Sequence, residues 1–503
     1  GPAAGSALMI TPYSPDGSKT RGTVANCANG HTPWGTYLTC EENWAGFFRR
    51  LSTDDANRTK KELASFRRYG VAGNSGKLWA TATPSDASDT RFARWNAMKT
   101  GTSVDGSDDF RNGANTYGWV VEIDPFDPGS TPVKRTGLGR LAHEGAWPGR
   151  VIAGKPLAWY MGCDARNEYI YKYVSNAVWN PADANKGLAA GDKYLDDGKL
   201  YAAKFNADGS GEWMELKLGM NNITASNPAY AFSDQADVLI NTRQAADAAG
   251  ATKMDRPEWG AVNPLNGEVY MTLTNNNATS RTLATTDAAN PRFYNDRKGA
   301  TAQKGNPNGH IIRWAEDGGN AGATRFRWDV FLFGARSTAD AANVNLSNLT
   351  AANDFSSPDG LWFARNGLLW IETDDAAYTD VTNCMLLAAV PGTVGDGGKK
   401  SINNVDGAGS KPVDTFVGAA PGEAKLRRFL VGPKECEITG LAETPDGRAL
   451  FVNIQHPGED TAPDYSNPGS FGSHWPDGGN ARPRSATIVI TKNDGGEIGG
   501  GFA

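Results

Sequence analysis

Short runs of alternating apolar and polar residues, each broken by a turn pair, recur along this chain. ITGLAETPDGRALFVNIQHPGE (438–459) reads as strand, Pro-Asp-Gly turn and strand, with Glu435 and Glu437 just upstream. EWGAVNPLNGEVYMTLTNN (258–276) has the same form headed by Glu258, and DGLWFARNGLLWIETDD (359–375) repeats it headed by Asp359. NCANGHTPWGTYLTCEEN (26–43) is a looser copy. HEGAWPGRVIAGKPLAWYMGCDARNEYIYKYVS (143–175) carries Glu144 and a longer connection. Asn-Gly and Asp-Gly tolerate positive φ and therefore make hairpin turns. Copies spaced by several tens of residues, with a few short strands in each, predict an all-β chain. The expected fold is a β-propeller of five or six irregular blades in one domain, 1–503. Long loop insertions are expected near 54–113 and 277–305.

Composition sharpens this picture. A chain of 503 residues would ordinarily divide into two or three domains, but repetition lets one core keep growing. The 60 glycines and 27 prolines suit many turns, and the 15 tryptophans suit a β-rich core. A net charge of −6 argues against a nucleic-acid surface and is compatible with clustered carboxylates neutralised by cations. No apolar run approaches the roughly 20 residues needed to span a bilayer. The start, GPAAGSALMITPYSPDG, has neither a basic nor an apolar signal region, so any export signal is expected to have been removed or never to have existed. None of the five histidines has H-x-x-x-H spacing, which disfavours a histidine-rich zinc site.

The acids at the heads of the copies carry the candidate chemistry. In a propeller the innermost strands line an axial channel, so an acid heading several of them puts many carboxylates around one axis. They repel and resist ionisation unless cations sit between them, which predicts an axial metal site. TCEENW supplies Cys40, Glu41 and Glu42; a buried hydrophobe is the alternative for Cys40. LAHEGAW supplies His143 and Glu144, and GCDARNE supplies Asp164 beside Arg166. In DRPEWG, Arg256 and Glu258 point the same way if extended, and a metal-bound carboxylate beside a guanidinium suits a phosphate or carboxylate ligand. Asp359 in SSPDGLW is a ligand or a turn residue. Of Glu435 and Glu437 in KECEITG, one is expected to bind metal. Oxygen donors in this number suit Ca²⁺, Mg²⁺, Mn²⁺ or ferric iron. No Walker loop, G-x-S-x-G elbow or dinucleotide fingerprint stands in a convincing βα context.

PWGTYLTCEEN, AHEGAW, CDARNEYIYKYVS, DRPEWGAVNP, NGHIIRW, SPDGLWF and CEITGLAETPDGRALFVNIQHPGE, taken in order, resemble the PhoX family of bacterial alkaline phosphatases over nearly the whole chain. The resemblance implies a propeller whose axial site holds two ferric and three calcium ions with a bridging oxo group. It implies hydrolysis of phosphate monoesters, and of diesters, by a metal-bound oxo or hydroxide. By resemblance Cys40 is an iron ligand and Glu144 and Glu258 hold the iron pair. Glu41 or Glu42, Asp164, Asp359 and Glu437 complete the iron and calcium shells, and Arg256 grips the phosphate. The family is exported folded through the twin-arginine pathway, so a mature periplasmic or extracellular form is implied. The expected partners are small phosphate esters, with no nucleic acid and no membrane, and the expected state is a monomer. Two other readings compete: a calcium-dependent propeller lactonase or phosphotriesterase, and a non-catalytic binding propeller stapled by calcium. Iron colour and turnover of a phosphate monoester separate the three.

Overall fold

The structure, a computed structural model, describes residues 1–86, 88–374, 377–407 and 409–502; Asp375, which ends the third copy, lies outside the described residues. Strand is the dominant element, as the alternation predicts, and helices are few and short. The chain divides into two compact units, Gly1–Asp164 with Tyr169–Lys204 and Trp213–Thr252, and Ala165–Glu168 with Phe205–Glu212 and Lys253–Ala503. No helix among the described residues is long and apolar enough to cross a membrane.

In the first unit, Asn26–His31, Tyr37–Glu41, Val120–Ile123 and Val133–Lys134 form an antiparallel meander. Trp147–Pro148, Pro156–Gly162, Ile170–Val178 and Gly198–Phe205 pair in a second sheet. Between them lies a core of large rings, including Trp34, Trp119, Trp159, Tyr171 and Tyr173. The stretch anticipated as an insertion at 54–113 is not merely loop. Helix Lys60–Tyr69 starts on a capping box between Thr59 and Glu62 and stops at Gly70, whose φ of 72° suits a residue without Cβ. It closes a separate aromatic cluster of Trp44, Phe48, Phe66, Trp95 and Tyr117. Ring burial of this kind, rather than hairpin pairing, holds that segment.

The second unit contains three meanders. They are Pro257–Val262, Val269–Leu273, His310–Glu316 and Arg325–Phe333; Pro358–Phe363, Leu369–Thr373, Met385–Ala389 and Leu426–Val431; and Glu437–Glu443, Ala449–Gln455 and Ala486–Thr491. Val269–Leu273, Leu369–Thr373 and Met385–Ala389 are buried at every position, Thr272, Glu372 and Thr373 included, because both faces of these strands are covered. Ala449–Gln455 and Ala486–Thr491 alternate, because one face of the last sheet meets water. The stretch 277–305 contributes most of a small sheet of Asn276–Asn277, Tyr294–Lys298 and Thr301–Asn306.

Four of the meanders open on the same backbone device. Ala25, Arg256, Ser357 and Glu435, which precede the opening strands, have φ of 51°, 61°, 49° and 55°. Left-handed backbone is uncommon for residues with a side chain and costs on the order of 1 kcal/mol each, so four in register need a reason. Each opening strand then shifts register by a bulge: between Asn26 and Asn29, Pro257 and Gly260, Pro358 and Leu361, and Thr439 and Leu441. Each left-handed residue also offers its carbonyl to the chain leaving the second strand. Ala25 O accepts from Glu42 N (3.0 Å), Arg256 O from Thr274 N (3.1 Å), Ser357 O from Asp374 N (3.1 Å) and Glu435 O from Gly458 N (2.8 Å). The turn and bulge re-aim the first side chains of the strand. The residue two beyond each turn is Cys27, Glu258, Asp359 or Glu437.

Candidate functional site

The device supplies one metal-binding type of side chain per meander. In the first unit it supplies Cys27, whose Sγ–H donates to Glu144 Oε1 at 3.3 Å. Cys27, Glu42 and Glu144 each bring a ligand atom within 4.8 Å of the other two. Glu42 arrives through its backbone bond to Ala25, and Glu144 through its N–H to Gly162 O (3.3 Å). Both carboxylates are buried while Cys27 is exposed. Two buried carboxylates this close to a thiol favour a cation among them, and a cation would hold the sulfur as thiolate.

In the second unit, strand Pro257–Val262 packs on Pro358–Phe363, which in turn packs on Glu437–Glu443. Glu258 and Asp359, both buried, offer oxygens within 4.8 Å of each other. Arg256 Nε lies 2.9 Å from Glu258 Oε1. The contact is the expected one, but its cause is not an extended strand: left-handed Arg256 turns its guanidinium back over the residue two ahead. Glu437 meets His456, whose Nε2 is 3.4 Å from Oε2, and His456 Nδ1 is 3.0 Å from Glu459 Oε1. Glu437 and Glu459 raise the His456 pKa against its partial burial. Asp374 is pushed up to about 6, first by burial and then by Glu437, with Arg256 opposing. Glu372 beneath it is raised well above the usual carboxyl range by burial and Glu437. These acids sit at the cost of desolvation and mutual repulsion, which cations would relieve.

Three of the expected residues, Cys40, Glu41 and Asp164, are not members of these groups among the described residues. Cys40 is fully buried in the aromatic core, where burial first, then Glu144 and Glu41, hold its thiol protonated. Glu41 is also buried and accepts from Val24 N, Gly118 N, Trp119 N and Lys134 Nζ (2.7 Å), so it ties the first meander together. Strand alternation separates it from Glu42, which alone of the pair joins the thiol group. Asp164 is half-buried, bonded through its N–H to Ala142 O (3.0 Å), and is not one of that group. His143 is a core residue whose Nε2 meets Gly139 O at 2.8 Å, and burial lowers its pKa to about 4. Glu435 turns to Lys434 (2.9 Å) and Thr461 (2.9 Å), leaving Glu437 as the ligand candidate of that pair. Cys27, Asp374 and Glu459 escaped the reading of the sequence. Aligning N-C-A-N-G with P-E-W-G, P-D-G-L and C-E-I-T-G puts Cys27 at the ligand position.

The family model for alkaline phosphatase PhoX matches residues 1–458. The chain belongs to the PhoX alkaline phosphatase family. It is therefore a phosphatase, and the fold class is the all-β propeller class of its structural neighbour. A solved structure of Pseudomonas fluorescens PhoX in complex with vanadate, a transition-state analogue, is 38% identical, with a TM-score of 0.77. The likeness covers 99% of this chain and 75% of that one. No curated protein matches. Within this PhoX-family phosphatase, the described residues include acidic and thiol groups with metal-ligand spacing.

Proposed function

We propose that this phosphatase hydrolyses phosphate monoesters, and diesters more slowly, outside the cytoplasm, with Arg256 as the residue that grips the phosphate. The single observation that carries the assignment is the Arg256–Glu258 pair. A guanidinium on a strained backbone is held 2.9 Å from a buried carboxylate at the head of a strand. Its planar fork suits two phosphoryl oxygens, and fixing the fork before substrate arrives avoids reorganisation in the transition state. The vanadate bound by the Pseudomonas fluorescens relative supports a phosphoryl group in transfer as the species to be bound.

The donor set fits the iron and calcium that the family resemblance implies. Cys27 with Glu42 and Glu144 offers sulfur and oxygen suited to iron, a set that calcium alone does not call for. Glu258, Asp359, Asp374 and Glu437 offer oxygens suited to iron or calcium. The proposed content remains two ferric and three calcium ions. When bound, such cations supply positive charge to the phosphoryl oxygens and make water a better nucleophile. The chain itself contributes orientation through Arg256 and a set of carboxylates whose repulsion keeps the site selective for cations. Arg256→Ala should lower kcat/KM for a chromogenic phosphate monoester on the order of 10²- to 10³-fold with metal content unchanged. Wild-type turnover by that variant would remove Arg256 from the site.

A further inference from the structure

Beside His456 lies a cavity of about 350 Å³ within the second unit. Its walls include Tyr465, Phe471, Arg482 and three prolines, Pro457, Pro463 and Pro483. Most of this lining comes from beyond residue 458, where the family model ends. The wall is nevertheless pinned to the opening of the last meander. Thr461 Oγ1 donates to Glu435 Oε1 (2.9 Å), and His456 N donates to Ser485 Oγ (2.9 Å). His456 belongs to both places: it lines the cavity, and its ring approaches Glu437.

The lining combines two aromatic residues, Tyr465 and Phe471, with Arg482, Arg484 and Glu459. Tyr465 and Phe471 meet edge to face at 6.2 Å, and Tyr465 is 67% exposed. The Arg482 guanidinium lies 5.0 Å from the Tyr465 ring centroid. Arg484 is neutralised by Asp477 at 2.6 Å, whereas Arg482 forms no ion pair with a carboxylate among the described residues. A large exposed ring such as Tyr465 loses little conformational entropy when it binds another ring. A guanidinium at the same wall adds stacking and attraction for electron-rich rings. Pairing of an exposed Arg with an anion is screened by salt, so the aromatic surface rather than the charge decides what fits.

We propose that this cavity is the subsite for the alcohol portion of the ester, and that it favours flat aromatic alcohols such as nucleosides over small aliphatic ones. The proposal rests on the phosphatase site proposed above, because His456 is what joins the cavity to Glu437. The test uses the metal-loaded full chain and two substrates, a nucleoside 5′-monophosphate and glycerol phosphate. Tyr465→Ala should lower the ratio of kcat/KM values, nucleoside ester over glycerol ester, about tenfold, chiefly through KM. Arg482→Ala should lower it by a smaller factor. Free nucleoside should inhibit the wild type competitively and the Tyr465→Ala variant less. An unchanged ratio in Tyr465→Ala, with glycerol phosphate still hydrolysed by the wild type, overturns the subsite and leaves the phosphatase site standing. A loss confined to Arg482→Ala overturns it in favour of an anion site. Absence of phosphate release from both esters by the wild type overturns the phosphatase site and the subsite together.

Discussion

Of the three Pro-Asp-Gly tripeptides in the second unit, those at 445–447 and 358–360 have opposite outcomes. At 445–447 the tripeptide is the hairpin turn its composition suggests. Asp446 accepts the Thr444 hydroxyl (2.7 Å) and Arg448 N (3.2 Å), and Gly447 takes φ of 67°. At 358–360 the same three residues lie inside strand Pro358–Phe363. There the bend is made one residue earlier, by Ser357, and Gly360 is not a turn residue. A Cβ at Gly360 would overlap the buried Glu372 carboxylate, so glycine is needed for closeness rather than for φ. Asp359 is buried at a strand head beside Glu258, while Asp446 faces water. The environment supplied by neighbouring strands, not the tripeptide, decides whether an aspartate caps a turn or is buried beside another carboxylate at metal-ligand spacing.

The sharpest way to break this comparison is to neutralise each aspartate in turn. Asp359→Asn should reduce phosphatase turnover on the order of 10²-fold or more and lower bound metal, because an amide cannot balance cation charge. Asp446→Asn should leave turnover and metal content at wild-type levels. Equal loss in the two variants would mean that Asp359 acts through folding alone. Elemental analysis alongside the rate measurement tells those cases apart.

Cys27 and Cys40 extend the comparison to the first unit and show what was legible in the sequence. Period-2 alternation and Asn-Gly or Asp-Gly turns marked most of the hairpins, because those signals are local. Glu258, Asp359 and Glu437 were marked as strand-heading acids for the same reason. Local signals could not mark the left-handed turn, since Ala25, Arg256, Ser357 and Glu435 share no residue type. Without that turn, the copy at 26–43 reads as carrying its donors at the far end, in Cys40, Glu41 and Glu42, and Cys27 is not singled out. The small helix at Lys60–Tyr69 was lost for a different reason: its partners in the aromatic cluster are scattered from Trp44 to Tyr117. Cys27→Ser should release metal and reduce turnover with little effect on stability of the metal-free protein. Cys40→Ser should keep its metal and lose about 1–3 kcal/mol of stability, the cost of a hydroxyl in an apolar core. The reverse pattern would return Cys40 to the metal site.

The smallest effect tests the exposed member of the first pair. The Thr444 hydroxyl, then the Arg448 backbone N–H, hold the Asp446 pKa below its ordinary value. A carboxylate with a depressed folded-state pKa stabilises the fold above its unfolded pKa of about 3.9 and loses that contribution as pH falls through the folded value. Asparagine keeps an acceptor oxygen for both donors but carries no charge. The unfolding midpoint of Asp446→Asn should therefore lie slightly below wild type at neutral pH and converge with it in acid. Because the leading cause is a hydrogen bond rather than an ion pair, added salt should narrow the gap only slightly. A gap that persists or widens on acidification would show that Asp446 does more than cap its turn, and the contrast with Asp359 would lose its simpler half.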